Sequence, residues 1–378
     1  MRTALAIGLC LVGALSTAAA ESASAEERPS AQTVRENYRA QLNDNTVTIM
    51  AGSAEGTDLT IVQDIAAVLD NGEHLRVVPM VGKGPSQNLK DVLFMRGVDM
   101  GITQANVLKH FAKTGELGPN LEKRVAYIAK LFNEEMHVLA RAEVSDIRAL
   151  DGKTVNMGPE GNGAEITARA VFSALGITVR EAHLDQADAV AKLKAGDIDA
   201  MVVVAGKPAP ILAHIDASSG LKFLSVPYAK GLEDNYYPAT LTQADYPQLI
   251  GDGTRVDTVA VCAVLVSFNW DKDSPRTRKL DRFVNGFFSN FDAFLTPPRH
   301  PKWQQVNFAA TLEGWQRSPL AQAWIDHAKT TLAADPNARA RFETFLAQAD
   351  TKAATASEAE RAKLFRAFLQ WSKTHDQN

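Results

Sequence analysis

Cysteine is almost absent: the 378 residues hold two, Cys10 and Cys262. Cys10 falls in an N-terminal stretch that reads as removable, so Cys262 is left alone. A lone cysteine excludes an intramolecular disulfide and any cysteine-rich zinc site. A dominant charge is missing too, with 40 Lys and Arg against 44 Asp and Glu, a net charge of −4. Without a basic block, nucleic acid is not an expected partner. Past the N-terminal stretch no apolar run approaches the roughly 20 residues that cross a bilayer.

The usual marks of catalysis are also missing. There is no Gly-x-Ser-x-Gly elbow, no Walker-type Gly-Lys-Ser/Thr and no His-Glu-x-x-His. Gly82-Lys83-Gly84-Pro85-Ser86 looks like a phosphate loop at a glance, but its proline and spacing argue against one. His110, His137, His183 and His214 have no second ligand at metal spacing, and no carboxylate pair is marked as a catalytic couple. We therefore expect no metal, no cofactor and no catalytic residue, and hence a binding protein rather than an enzyme.

What is present begins with an export signal. Arg2 supplies a positive start, Ala4 to Leu15 an apolar run, and Ala18-Ala19-Ala20 a small-residue cleavage site, with Ala23-Ser24-Ala25 as a second candidate. Cys10 does not fit a lipid acceptor, because Leu9 precedes it and apolar residues follow. Residues 1–25 are thus expected to be a signal peptide and the mature protein to be periplasmic.

Beyond a polar lead-in over 26–44, short β-branched runs alternate with helical patterns. Thr46 to Met50, Leu75 to Pro79 and Met100 to Thr103 read as strands, with helices over Thr57 to Leu69 and Ser86 to Arg96. A second set follows: strand Thr154 to Met157, helices Ala164 to Leu175 and Ala187 to Ala195, strand Ala200 to Val204. Such alternation predicts an α/β fold with a largely parallel sheet and helices on both faces. One local element recurs, for Phe94 to Ile102 resembles Leu193 to Met201: a helix ends, Gly97 or Gly196 turns the chain, and Asp99 or Asp199 precedes a strand. Such turns are common in any α/β protein, but with the matched sizes of the two sets they favour two similar lobes. Two strand-like runs in Val125 to Arg141 and an apolar run over Val259 to Ser267 are the expected crossovers. The expected division is lobe 1 over 45–135 plus 256–295, lobe 2 over 136–255, and a helical C-terminal extension over 296–378 packed on lobe 1.

Each set also carries a small-residue loop between strand and helix: Gly52 to Thr57 in the first, Gly158 to Glu165 in the second. Each delivers a helix N-terminus, whose unpaired N–H groups and positive dipole attract a carboxylate or phosphate while glycines allow close approach. Either loop alone is ordinary turn chemistry. One per lobe describes a clamp at the carboxyl ends of the strands.

At these loops the sequence resembles the TAXI family of solute-binding subunits of TRAP transporters, within the type II periplasmic binding-protein class. The likeness covers about Thr46 to Ser267. It rests on Asp151 to Gly158 leading into Gly161-Asn162-Gly163-Ala164-Glu165, on Gly196 to Ala200 leading into Val204 to Pro208, on Gly101-Ile102-Thr103-Gln104 and on Tyr236-Tyr237-Pro238. A weaker echo lies in His300 to Trp303. The resemblance implies a two-lobed receptor with a central cleft that closes on a small carboxylate-bearing solute, an amino acid or organic acid, and hands it to a membrane permease of a TRAP transporter. It implies that Ser53, Thr57, Gln104, Asn162, Gly163, Ala164, Glu165, Ala205 and Tyr237 line the cleft. Ala164 and Glu165 would offer backbone N–H groups to a carboxylate, and Gln104 and Asn162 their side chains. Asp58 stands where the family usually has an aromatic residue; it would repel a second carboxylate or pair with a ligand ammonium. A sensory subunit of the same fold and a periplasmic enzyme on this scaffold are the alternatives.

Overall fold

The computed structural model describes residues 30–334 except 55, 73 and 309. The expected signal over 1–25 and the extension past residue 334 lie outside the described residues. Residues up to 42 form a unit of their own and those from 43 onward another. Where the polar lead-in signals no element, the chain forms helix α1 (Ala31–Asn45), none of whose residues is buried. Its Ala, Arg, Gln, Glu and Leu residues favour the helix by intrinsic propensity.

Strands β1 (Thr46–Gly52), β2 (Arg76–Val81) and β3 (Met100–Gln104) alternate with helices α2 (Thr57–Leu69), α3 (Pro85–Phe94) and α4 (Ala105–Thr114). A single turn, α5 (Leu121–Arg124), leads into β4 (Val125–Arg141). The second set comprises β5 (Thr154–Asn156), α6 (Gly163–Leu175), β6 (Arg180–Ala182), α7 (Gln186–Ala195), β7 (Ala200–Ala205), the short α8 (Pro210–Ala213), β8 (Leu221–Phe223) and β9 (Tyr237–Thr242). The chain returns through β10 (Arg255–Phe268) to α9 (Pro275–Ser289) and α10 (Pro319–Ala334).

Among the described residues the strands form one sheet, in the order β2-β1-β3-β10-β4-β7-β5-β6, with β8 paired to β4 and β9 to β10. Pairing is parallel within each end of the sheet and antiparallel at its centre, where β10 lies between β3 and β4. The fold is thus mixed α/β, with helices on both faces of a central sheet.

Patterning predicts two strands within Val125 to Arg141, but β4 is one strand of 17 residues. The apparent break, Asn133-Glu134-Glu135, stays in the sheet because Cys262, Val261 and Ala260 of β10 pair with these residues in turn. The recurring helix–Gly–Asp–strand element has a shared structural purpose. Gly97 and Gly196 sit at φ +88° and +84°, and the following aspartate ties down the start of a neighbouring strand. Asp99 accepts the Thr48 N–H at 3.0 Å and Asp199 the Thr154 N–H at 2.9 Å.

Apolar residues of β1, β3, α2 and α9 pack with Phe287, Phe291, Phe294 and Trp303 on one face of the β2-β1-β3 end. Trp303 is fully buried, stacks on Phe294 at 4.5 Å and donates its indole N–H to Asp64 at 2.9 Å. Helices α3 and α4 cover the other face. At the opposite end α6 and α7 cover the two faces in the same way. The expectation of a helical extension from residue 296 needs correction. In its described part only Pro301–Gln305, a short 3-10 helix, and α10 are helical after residue 300. Between them Arg317 bridges Tyr127 of β4, with Ser318 N–H donating to the Tyr127 carbonyl at 2.8 Å, so the backbone there is spent on the sheet.

Candidate ligand-binding cleft

Four helices begin at one place. The chain leaves β1 through Gly52, at φ +99°, a conformation that favours glycine, within van der Waals reach of the Asp58 carboxylate. It then enters α2 with Gly56, which has no side chain, at the N-cap. Gly84 caps α3 without a side chain. Asn162 caps α6, its Oδ1 accepting the Ala164 N–H at 3.1 Å. Asp185 precedes α7 and makes no capping bond. Residues from all four starts (Gly56, Thr57, Asp58, Gly84, Pro85, Asn162 and Gln186) line one inner cavity of about 30 Å³, joined by Ser53, Lys83, Glu134, Ala205 and Ala209. An outer cavity of about 360 Å³ shares Ser53, Asn162 and Gln186 with it and is rimmed by Asp185 and Asp188. Four positive dipole ends and Lys83 make this a place that favours an anion.

Two buried carboxylates share the same wall. Asp58 is 5 % exposed and Glu134 2 %. Burial pushes the Asp58 carboxyl up to about 7. Burial, and then the Asp58 charge, hold Glu134 well above the usual range, opposed by a hydrogen bond from Gln104. That bond runs from Gln104 Nε2 to Glu134 Oε2 at 2.8 Å. Asp58 Oδ1 and Gln104 Oε1 are buried without a partner. Such atoms in a native fold call for an explanation, since desolvating a polar group costs about 1–3 kcal/mol when nothing replaces water.

Bonds across the cleft join the two ends of the sheet. Thr57 Oγ1 donates to the Gly206 carbonyl at 2.8 Å, and Gln87 N–H to the Gly161 carbonyl at 3.0 Å. Asn106 Nδ2 donates to Thr167 Oγ1 at 2.9 Å and Tyr236 OH at 3.1 Å. The tightest approach is at Gly163, where an added Cβ would stand 2.1 Å from Gln104 Oε1. Gly163→Ala is therefore expected to push Gln104 off Glu134 and cost about 1–3 kcal/mol, read as a lower melting temperature. Adding Gln104→Ala should return most of the loss; no recovery would place the strain elsewhere.

Of the residues singled out in the sequence, Ser53, Thr57, Asp58, Asn162 and Ala205 line the inner cavity. Gln104 stands behind Glu134 rather than on the wall, and Gly163 packs against Gln104. The expected donor at Ala164 is already occupied by the Asn162 cap. Glu165 turns its carboxylate to Arg169 at 2.5 Å, one helical turn on. Tyr237 is half exposed at the start of β9 and lines neither cavity; its neighbour Tyr236, just before the strand, is buried. Glu134, Lys83, Gln186 and Ala209 were not singled out. Glu134 has only an ambiguous signal, an acidic pair inside an otherwise apolar run that reads as a break between strands.

Behind the cavity, Glu135 accepts two bonds from Lys302 Nζ, at 2.6 and 2.9 Å, and the Lys207 N–H at 3.0 Å. Buried His137 faces the Tyr246 hydroxyl at 2.7 Å, and that oxygen accepts the Ala209 N–H at 2.8 Å. These contacts fix the loop after β7, whose Ala209 is a cavity wall.

Residues 49–274 match the family model described as the NMT1-like family. The chain belongs to the NMT1-like family. The match spans every residue that lines the inner cavity, from Ala51 to Ile211, whereas Lys302 and Trp303 of this NMT1-like chain lie outside it. Among solved structures it is similar to the periplasmic aliphatic sulphonate-binding protein SsuA of Escherichia coli, at 15% identity over 75% of this chain and 83% of that one, with a TM-score of 0.42. It is also similar to MatC of Rhodopseudomonas palustris with bound malate, at 16% identity over 66% and 86% of the two chains, TM-score 0.43. A third is the periplasmic binding protein BugD, at 16% identity over 68% and 84%, TM-score 0.44.

Among the described residues of this NMT1-like chain one cluster has metal-ligand chemistry, Glu165, Glu181 and His183. Its cation is already Arg169, which binds Glu165 and Glu181 at 2.5 Å each.

Proposed function

We propose that this chain is a periplasmic substrate-binding protein that captures a small carboxylate-bearing solute, an amino acid or organic acid, and delivers it to a TRAP-type membrane permease. The observation that carries the reading is the convergence of four helix N-termini and Lys83 on one cavity between the two ends of the sheet. A carboxylate is among the small anions that unpaired N–H donors and dipole ends bind. On this reading the β2-β1-β3 end and the β7-β5-β6 end are lobes, and β4 and β10 are the hinge between them. The bonds Thr57–Gly206 and Gln87–Gly161 then belong to the closed form. The TAXI resemblance in the Gly158–Glu165 loop supports the permease as recipient, and the export signal supports the periplasm.

The test is a thermal-shift screen of the purified protein against small mono- and dicarboxylates and amino acids. A ligand bound only by the folded state at 100 times its Kd raises stability by about 2.7 kcal/mol. For a chain of this size that is a shift of several degrees. Silence across the whole panel would sink the reading.

A further inference from the structure

We propose that the inner wall of the cleft is a subsite for a protonated amine, in which Asp58 and Glu134, backed by Gln104, receive an ammonium group of the ligand while its carboxylate lies toward the helix N-termini. The inference rests on the solute-binding reading above and names the second functional group of the solute.

Two features of the cavity pull in opposite directions. Helix starts and Lys83 favour negative charge, yet two buried carboxylates face the same small space. A ligand that is only an acid uses the first feature and leaves Asp58 Oδ1 buried without a partner. An ammonium brings three N–H donors and a positive charge. It supplies the unpartnered Asp58 Oδ1 and offsets the repulsion between Asp58 and Glu134. No nearby cation supplies Asp58 Oδ1, Lys83 on the same wall included, although the Lys302 charge reaches Glu134 from behind. Lys302 is held by Glu135 and Asn133, and Lys207 Nζ by Asp245 and the Thr240 carbonyl. The Gln104 amide fixes the Glu134 carboxylate in place, and Gly163 presses on the amide from the far side of the cleft. The amine subsite is therefore completed by residues from both ends of the sheet. Acid and amine on one small ligand make a zwitterion, and the cavity carries a counterpart for each charge.

The experiment compares three matched panels by calorimetry at pH 7.5: L-α-amino acids, the corresponding α-hydroxy acids, and the n-alkylamines of the same carbon skeletons. The expected result is at least one amino acid that binds 30-fold or more tighter than its hydroxy acid, with Asp58→Asn and Glu134→Gln each reducing that preference below about threefold. Circular dichroism and melting of both variants show whether they are folded. Equal binding of hydroxy and amino acids would overturn the amine subsite and leave the carboxylate reading standing. Binding of alkylamines and amino acids alike would keep the subsite and overturn the carboxylate reading. A folded Asp58→Asn and a folded Glu134→Gln that both retain the full preference would also overturn it.

Discussion

Lys302→Met is expected to lower the stability of the protein by about 3–5 kcal/mol, the cost of stranding a buried carboxylate. Urea denaturation checks this as a fall in the transition midpoint at unchanged slope. Lys302 and Glu135 are 2 % and 3 % exposed. Desolvation is the leading influence on both, lowering Lys302 and raising Glu135, and their mutual attraction opposes it. A pair in that position adds little net stability, yet removing one partner leaves the other charge without compensation. Replacing both, Lys302→Met with Glu135→Leu, should therefore recover most of the loss. The part not recovered corresponds to the Lys207 N–H and the Asn133 carbonyl, which lose their partners. If Lys302→Met alone changes stability by less than about 1 kcal/mol, Glu135 is protonated and the pair is not ionic.

Asp58→Asn is expected to raise the melting temperature at pH 8 by about 5 °C or more, and to flatten the pH dependence of stability below pH 7. In the folded protein the Asp58 carboxyl is pushed up from 3.8 to about 7. Between those values the folded state holds a proton that the unfolded chain has released, so stability falls as pH rises through the window and is level above it. Glu134, raised by burial and by Asp58, acts in the same sense. His137 acts in the opposite sense. Burial lowers it from 6.5 to about 4, so the unfolded chain holds the extra proton there and stability is lost as pH falls through that range. Wild-type protein should lose stability as pH rises between 4 and 6.5, because Asp58 and Glu134 together outweigh His137. The charged groups around them are Lys83 on the cavity wall and Glu135, Lys207 and Lys302 behind it, with Asp245 toward His137. In Asp58→Asn the Glu134 and His137 contributions oppose one another and the dependence should become shallow. A variant whose pH profile parallels that of the wild type would show that Asp58 ionises normally in the fold.

The α/β alternation was legible because β1, β2, β5 and β7 are short and each ends at or within two residues of a glycine, and α2 was readable to both ends. Ser53, Thr57, Asp58 and Asn162 were legible as cavity residues because a glycine loop after a parallel strand has one place to go. Glu134 was hidden by its own chemistry: in a linear reading a charged triplet inside an apolar run marks a loop, and only the pairing of β4 with β10 reveals a strand with one carboxylate in the cavity and the next in a buried ion pair. Lys302 lies 167 residues from Glu135, and nothing local announces that its ammonium is buried. Tyr237 lies outside both cavities and the Ala164 N–H is taken by the Asn162 cap, two local details that loop composition does not convey.

The position of β10 also governs the order in which the molecule can be made. It enters the sheet between β3 and β4, strands that leave the ribosome more than a hundred residues earlier, and α9 and Trp303 complete the core around β1 later still. The free edge of β3 therefore stays unpaired until β10 has emerged, and the apolar face of that end is not fully covered until residue 325 has followed. Contacts of such long sequence separation make folding slow. Until then that edge and face are where the unfinished chain can aggregate.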